Sequence, residues 1–149
     1  MKNILVRKYQ FHLLILMFFS SMPVYAQPNV QATDTQLVQE TANRLADDYN
    51  KGGVNGIAED IQACYAHFSN QETLKECLAL DVGGLFTSYK LDGKQIEQLF
   101  PYMARDVVVQ RVYSYAPKIF KTKQDFIDFA KKQGGAIMEA SLSKIDKKN

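Results

Sequence analysis

The chain has 149 residues, 46% of them hydrophobic and 23% charged, which suits one domain with a self-sufficient core. Its 18 Lys and Arg outnumber its 16 Asp and Glu, but Lys2, Arg7 and Lys8 all lie in the first 26 residues, where no acid occurs. Residues 27–149 therefore carry 15 basic side chains against 16 acidic ones, a balance that excludes an electrostatic platform for nucleic acid.

Residues 1–26 read as a secretory signal peptide. Lys2, Arg7 and Lys8 form a basic leader, residues 13–19 (LLILMFF) a short apolar run, and Ser20, Ser21, Met22 and Pro23 a break. Val24, Tyr25 and Ala26 then put small residues at −3 and −1, which predicts cleavage between Ala26 and Gln27. The apolar run falls well short of the ~20 residues that span a bilayer. Gln27, and not Cys, follows the cleavage site, so no lipid anchor is expected. The expected destination is the periplasm or the medium, with no membrane attachment after cleavage.

Residues 27–32 are expected to be a disordered lead. Thr33, Asp34, Thr35 and Gln36 offer an N-cap to a helix through Leu37, Val38, Thr41, Ala42, Leu45 and Tyr49, with Gly52-Gly53 as its stop. Asn55 is a candidate cap for the next helix, whose apolar face is Ile57, Ile61, Cys64, Tyr65 and Phe68. Ser69, Asn70 and Gln71 form a polar turn, and a second face follows in Leu74, Cys77, Leu78, Val82 and Leu85.

If these two helices fold back at Ser69-Asn70, Cys64 and Cys77 stand at similar heights on apolar faces. An isolated cysteine pair in an oxidising compartment favours a disulfide, which requires Cα atoms about 4.4–6.8 Å apart. A redox-active or metal-binding pair is the weaker reading. The spacing is not C-x-x-C, and His67 is the one histidine after residue 26, so zinc lacks a fourth ligand. No metal and no cofactor are expected.

Gly83-Gly84 interrupts a helical run from residue 78 to 89 at a cost of about 1 kcal/mol per glycine. Either the helix stops there and residues 85–91 are extended, or Ala79 and Gly83 flatten one face for a closely packed neighbour; the second is favoured. Asp92-Gly93 is a turn. Ile96, Leu99 and Phe100 predict a short helix that Pro101 interrupts or restarts. Met103, Val107, Val108, Arg111, Val112 and Tyr115 continue at helical spacing up to Pro117, although Val107, Val108 and Val109 alone would suit a strand. Thr122 and Asp125 resemble a capping box before Phe126, Phe129 and Ala130. Gly134-Gly135 is expected to stop that helix, with a last one through Ile137, Met138, Leu142 and Ile145 and a charged tail at 146–149. The expected fold is all-α: one domain over residues 33–145, a bundle of six or seven short helices with a disulfide-linked helical hairpin.

No phosphate loop, H-E-x-x-H, G-x-S-x-G or calcium-loop spacing occurs. His67 sits near a helix end, where a capping or solvated role is expected. Asp47-Asp48 and Glu59-Asp60 are paired carboxylates, but neighbours on a helix point ~100° apart. Neither pair converges on one atom, and both are expected on solvated faces. Asp81 lies close to the apolar face and wants a partner, with Arg105 and Arg111 as candidates. A buried ion pair that fixes helix register is favoured over a ligand-anchoring carboxylate. Tyr113 and Tyr115 flank Ser114 before Pro117, so at least one is expected to face solvent, as tyrosines at protein interfaces do.

The segments Ile61-Gln62-Ala63-Cys64-Tyr65 and Glu76-Cys77-Leu78-Ala79-Leu80-Asp81 resemble small exported bacterial proteins of unknown function, helical with one disulfide. In architecture, residues 33–130 are also similar to the Rap/Tai-type periplasmic immunity proteins of type VI secretion. That resemblance implies a non-enzymatic protein that binds and blocks a cell-wall-cleaving effector; it assigns no functional residue here. The leading expectation is a periplasmic binding protein that acts through a protein surface, an inhibitor or immunity factor whose partner is another periplasmic protein. The alternative is a small-ligand-binding or stress-related accessory protein with a cavity near Gly83-Gly84. A hydrolase using acidic residues ranks last.

Overall fold

Glycine sets the first turn of the fold. In this computed structural model, which describes residues 30–145 and the side chains of residues 34–145, the first element is α1 (Val30–His67). Gly53 interrupts its helical backbone with φ 61° and ψ −147°. An unbroken helix would hold Arg44 and Asp60 about 24 Å apart; instead Arg44 Nη2 donates to Asp60 Oδ1 at 2.7 Å. The chain therefore doubles back at Gly53 without a loop, and α1 is a hairpin of two limbs. Gly56 allows the limbs to touch, since a Cβ there would lie 2.3 Å from the Asp48 carbonyl oxygen.

The export signal, its cleavage site, the first residues of the 27–32 lead and the tail at 146–149 lie outside the described residues. α1 begins at Val30, ahead of the cap expected at residues 33–36, and so takes in the end of that lead.

Asn70 opens α2 (Gln71–Asp92) with reciprocal capping bonds. Its Oδ1 accepts from the Thr73 backbone at 2.9 Å, and Thr73 Oγ1 accepts from the Asn70 backbone at 3.2 Å. The expected disulfide joins the second limb of α1 to α2: Cys64 and Cys77 are bonded, with Cα atoms 5.6 Å apart. α2 runs unbroken through Gly83-Gly84 because its neighbours occupy the space where side chains would stand. A Cβ on Gly83 would meet Ile137 Cγ2 at 2.5 Å, and one on Gly84 would meet Ile57 Cγ2 at 3.0 Å.

A 3₁₀ turn, the single-turn helix α3 (Ile96–Leu99) and a second 3₁₀ turn at Pro101 lead to α4 (Arg105–Tyr115). Val107, Val108 and Val109 are helical, with Val108 and Val112 buried. Thr122 caps α5 (Lys123–Leu142) through its capping box with Asp125.

Two expectations need correction. Gly134-Gly135 does not end a helix: α5 passes through both, and Gly134 faces α2 so closely that a Cβ would lie 2.7 Å from Val82 Cγ1. The bundle therefore has four helices besides the single turn α3 among the described residues, and not six or seven. Segments expected as separate helices are fused, at Gly134-Gly135 by close packing and at Gly53 by a reversal that needs no linker. Lys144, just ahead of the charged tail, donates to Asn43 and, at 3.4 Å, to Gln39 Oε1 of α1.

α2 stands at the centre. On one side Ala79 and Leu80 join a core with Leu45, Ile57, Ile61, Ile96, Met103 and Ile137; on the other Leu78, Val82 and Leu85 join one with Val108, Val112 and Phe126. The described residues are all-α, and no helix among them is long and apolar enough to cross a membrane.

Candidate functional site

Asp81 follows Leu78, Ala79 and Leu80 on α2 and is completely buried. Burying a carboxylate is costly unless donors surround it, and two other helices supply them here. Arg111 of α4 donates from Nε to Oδ2 and from Nη2 to Oδ1, both at 2.7 Å. Tyr65 of α1 donates its hydroxyl to Oδ2 at 3.2 Å. The remaining guanidinium donor, Nη1, reaches the Tyr102 carbonyl at 3.1 Å, and the Arg111 guanidinium lies 3.8 Å from the centre of the Tyr102 ring.

Burial pushes the Asp81 carboxyl above its ordinary value, while the Arg111 hydrogen bonds and charge, with the Tyr65 hydroxyl, pull it back. For Arg111, burial opposes the charge, but Asp81 and the neighbouring tyrosines outweigh it and hold the guanidinium above its ordinary value. Burial, then the Asp81 charge, drives the Tyr65 phenol well above the tyrosine range. The two-pronged contact is the geometry of an ionised carboxylate with an arginine. With no exposed surface, and with its oxygens taken by Arg111 and Tyr65, Asp81 acts as a fastening between helices. Arg105 takes no part: it is exposed, with its guanidinium 5.2 Å from the Tyr89 ring.

The fastening carries an outward face. Tyr115, one turn beyond Arg111, stacks on Tyr65 with ring centres 4.6 Å apart, and Phe68 meets Tyr115 edge-on at 5.8 Å. Lys118 holds its ammonium 4.8 Å from the Tyr115 ring and 5.7 Å from that of Phe68. Tyr113 packs edge-on against Phe126 at 5.4 Å, under Lys123 at 4.9 Å. Tyr113 and Tyr115 are both half-buried, so each presents part of its ring to solvent. Between Tyr113 and α5 lies a groove of about 270 Å³, lined by Tyr113, Pro117, Phe120, Lys121 and Lys123 among others. Each such exposed ammonium–ring contact contributes about 0.5–1 kcal/mol.

The space beside Gly83-Gly84, expected to hold a cavity, is filled by Leu45, Ile57, Ile61 and Ile137. An apolar cleft of about 190 Å³ lies elsewhere, between α2, α4 and α5, lined by Val82, Leu85, Phe86, Val108, Val112 and Phe126 among others.

A second polar cluster escaped sequence reasoning. Asp48 and Asp60, drawn from the two acidic pairs expected on solvated faces, meet across the α1 hairpin. Arg44 donates to both oxygens of Asp60, while Asp48 Oδ2 is buried without a hydrogen-bond partner. Burial raises the Asp48 carboxyl to about 7, helped by its contact with Asp60, and Arg44 and Lys51 pull against this rise. The near-symmetric placement of 44, 48 and 60 about Gly52-Gly53 was the available signal, legible once those glycines mark a reversal instead of an end. No group of three or more His, Cys, Asp or Glu among the described residues is placed to hold a metal.

No family model, no curated protein and no solved structure matches this chain.

Proposed function

We propose that the chain is an exported periplasmic protein, released by cleavage between Ala26 and Gln27, that works by binding a partner protein and not by catalysis. The disulfide fits an oxidising compartment. The observation that carries the reading is the end of α4 and the turn after it, where half-buried Tyr115 and Tyr113, on opposite sides of the helix, stand beside the ammonium groups of Lys118 and Lys123 next to the buried Arg111–Asp81 pair. Tyrosines of this kind supply large contact area at small entropic cost. The role that suits a rigid, cation-rimmed face is that of an inhibitor or immunity factor against an exported enzyme with an acidic surface, in keeping with the similarity to the Rap/Tai-type proteins.

The test is co-purification from the periplasm, comparing the unaltered protein with a Tyr115→Ala/Lys118→Glu/Lys123→Glu variant and a Lys94→Glu control on the α2–α3 turn. A stoichiometric partner kept by the control and lost by the triple variant is the expected result. A partner retained by all three places the binding surface elsewhere, and a partner-free monomer overturns the reading. One observation favours small-ligand carriage as a second reading, the apolar cleft of about 190 Å³ between α2, α4 and α5. A small molecule retained by the partner-free monomer would select it.

A further inference from the structure

The two limbs of α1 are held together beside their reversal by an unusual polar contact. Asp60 on the second limb is gripped at both oxygens by Arg44 of the first, the arrangement of an ionised carboxylate. Asp48, one turn after Arg44, stands on the same side of the hairpin as this pair, where the Asp60 charge acts on it, and its buried Oδ2 receives no donor. Two ionised carboxylates cannot bond to each other, since both only accept; a protonated one donates through its O–H. What the contact lacks is a proton.

Gly56 lies one turn before Asp60, and its approach to the Asp48 carbonyl brings the limbs together at the height of this pair. The turn thus imposes the closeness of the two carboxyls. We propose that Asp48 and Asp60 share one proton, carried by Asp48, that this proton closes the α1 hairpin, and that its loss loosens the hairpin.

The charges around the pair decide where it titrates. On the first limb Arg44 and Lys51 favour the ionised form of Asp48. On the second limb Asp60 disfavours it, and burial disfavours it most, which leaves Asp48 at about 7. From α2, Glu76 acts on Arg44. The folded state therefore keeps a proton that the unfolded chain has already released above its ordinary value of 3.8. The stabilising effect of that proton is complete below about pH 4 and is lost as pH rises to about 7, with no further change above. One proton limits the effect to a change of about tenfold per pH unit in the opening equilibrium. The half-exposed position of Asp48 reduces it further through solvent screening.

Residue-specific carbon NMR of the side-chain carboxyls from pH 3 to 9 tests the proposal on the purified protein. A midpoint near 7 for Asp48 is expected; an Asp48 midpoint near 4 overturns it. Histidine side chains in general titrate close to this window, so thermal unfolding is compared in a His67→Gln background. There the unfolding temperature should fall between pH 5 and 7. Asp48→Asn, whose side-chain amide can donate to Asp60 at every pH, should lose most of that fall. An equal fall with and without Asp48→Asn also overturns the proposal.

Discussion

Arg111 and Asp81 meet across the contact between α4 and α2 through two hydrogen bonds of 2.7 Å, one to each carboxylate oxygen. Tyr65 donates to the same carboxylate and stacks on Tyr115, so the buried pair and the solvent-facing ring are two ends of one assembly. Arg111 is little exposed and Asp81 not at all, which makes the pair sensitive to loss of either partner.

Arg111→Ala leaves a buried carboxylate without its cation and should destabilise the fold by about 3–5 kcal/mol. The double replacement Asp81→Leu/Arg111→Met removes both charges and should recover most of that loss. Urea unfolding of the two variants checks this. An Arg111→Ala protein within about 0.5 kcal/mol of the parent, the range of ordinary surface substitutions, would refute a buried ion pair here.

The two glycines of α5 should respond with opposite signs. Gly134→Ala pushes a methyl against Val82 and Phe86 and should cost about 1–3 kcal/mol through overpacking, more than the gain in helix propensity returns. Gly135→Ala meets nothing within 4 Å and should stabilise by up to about 1 kcal/mol. Thermal unfolding of the pair decides it.

Gly53 combines a positive φ with an extended ψ, a region essentially restricted to glycine. Gly53→Ala should cost about 1–3 kcal/mol, although a Cβ there touches nothing. Gly56→Ala should cost more, because its methyl would meet a carbonyl oxygen and not a movable side chain. Circular dichroism melts should rank Gly56→Ala below Gly53→Ala, and both below Gly52→Ala.

Cys64→Ser/Cys77→Ser should lower stability by roughly 3 kcal/mol in the chain-entropy view, for a bridge across a separation of 13 residues. The helical content should persist, since the core on both sides of α2 remains. Guanidinium unfolding of the variant beside the parent, with and without reductant, measures this. A parent insensitive to reductant once unfolded would count against the bridge.

The helical periodicity of Ile57 to Phe68 and Leu74 to Leu85, the polar turn between them and the single cysteine pair were sufficient to place the all-α fold and the disulfide, because each depends on neighbours in sequence. Asp81 was legible as a carboxylate in need of a cation, since it stands close to an apolar stripe. Its choice of Arg111 over Arg105 was not, because their separation of six residues on α4, more than one and a half turns, leaves one facing α2 and the other solvent. The glycine pairs show the same boundary. Gly83-Gly84 and Gly134-Gly135 look alike as residues, and a glycine can end a helix or admit a neighbour; only Ile137, Val82 and Phe86 on the facing helices decide that both admit. Asp48 and Asp60 lie furthest beyond sequence reasoning: the reversal at Gly53 brings two separate faces together into one half-buried polar cluster. Local chemistry determined the elements and the cross-link, and the way the helices fold back on one another decided which charges meet.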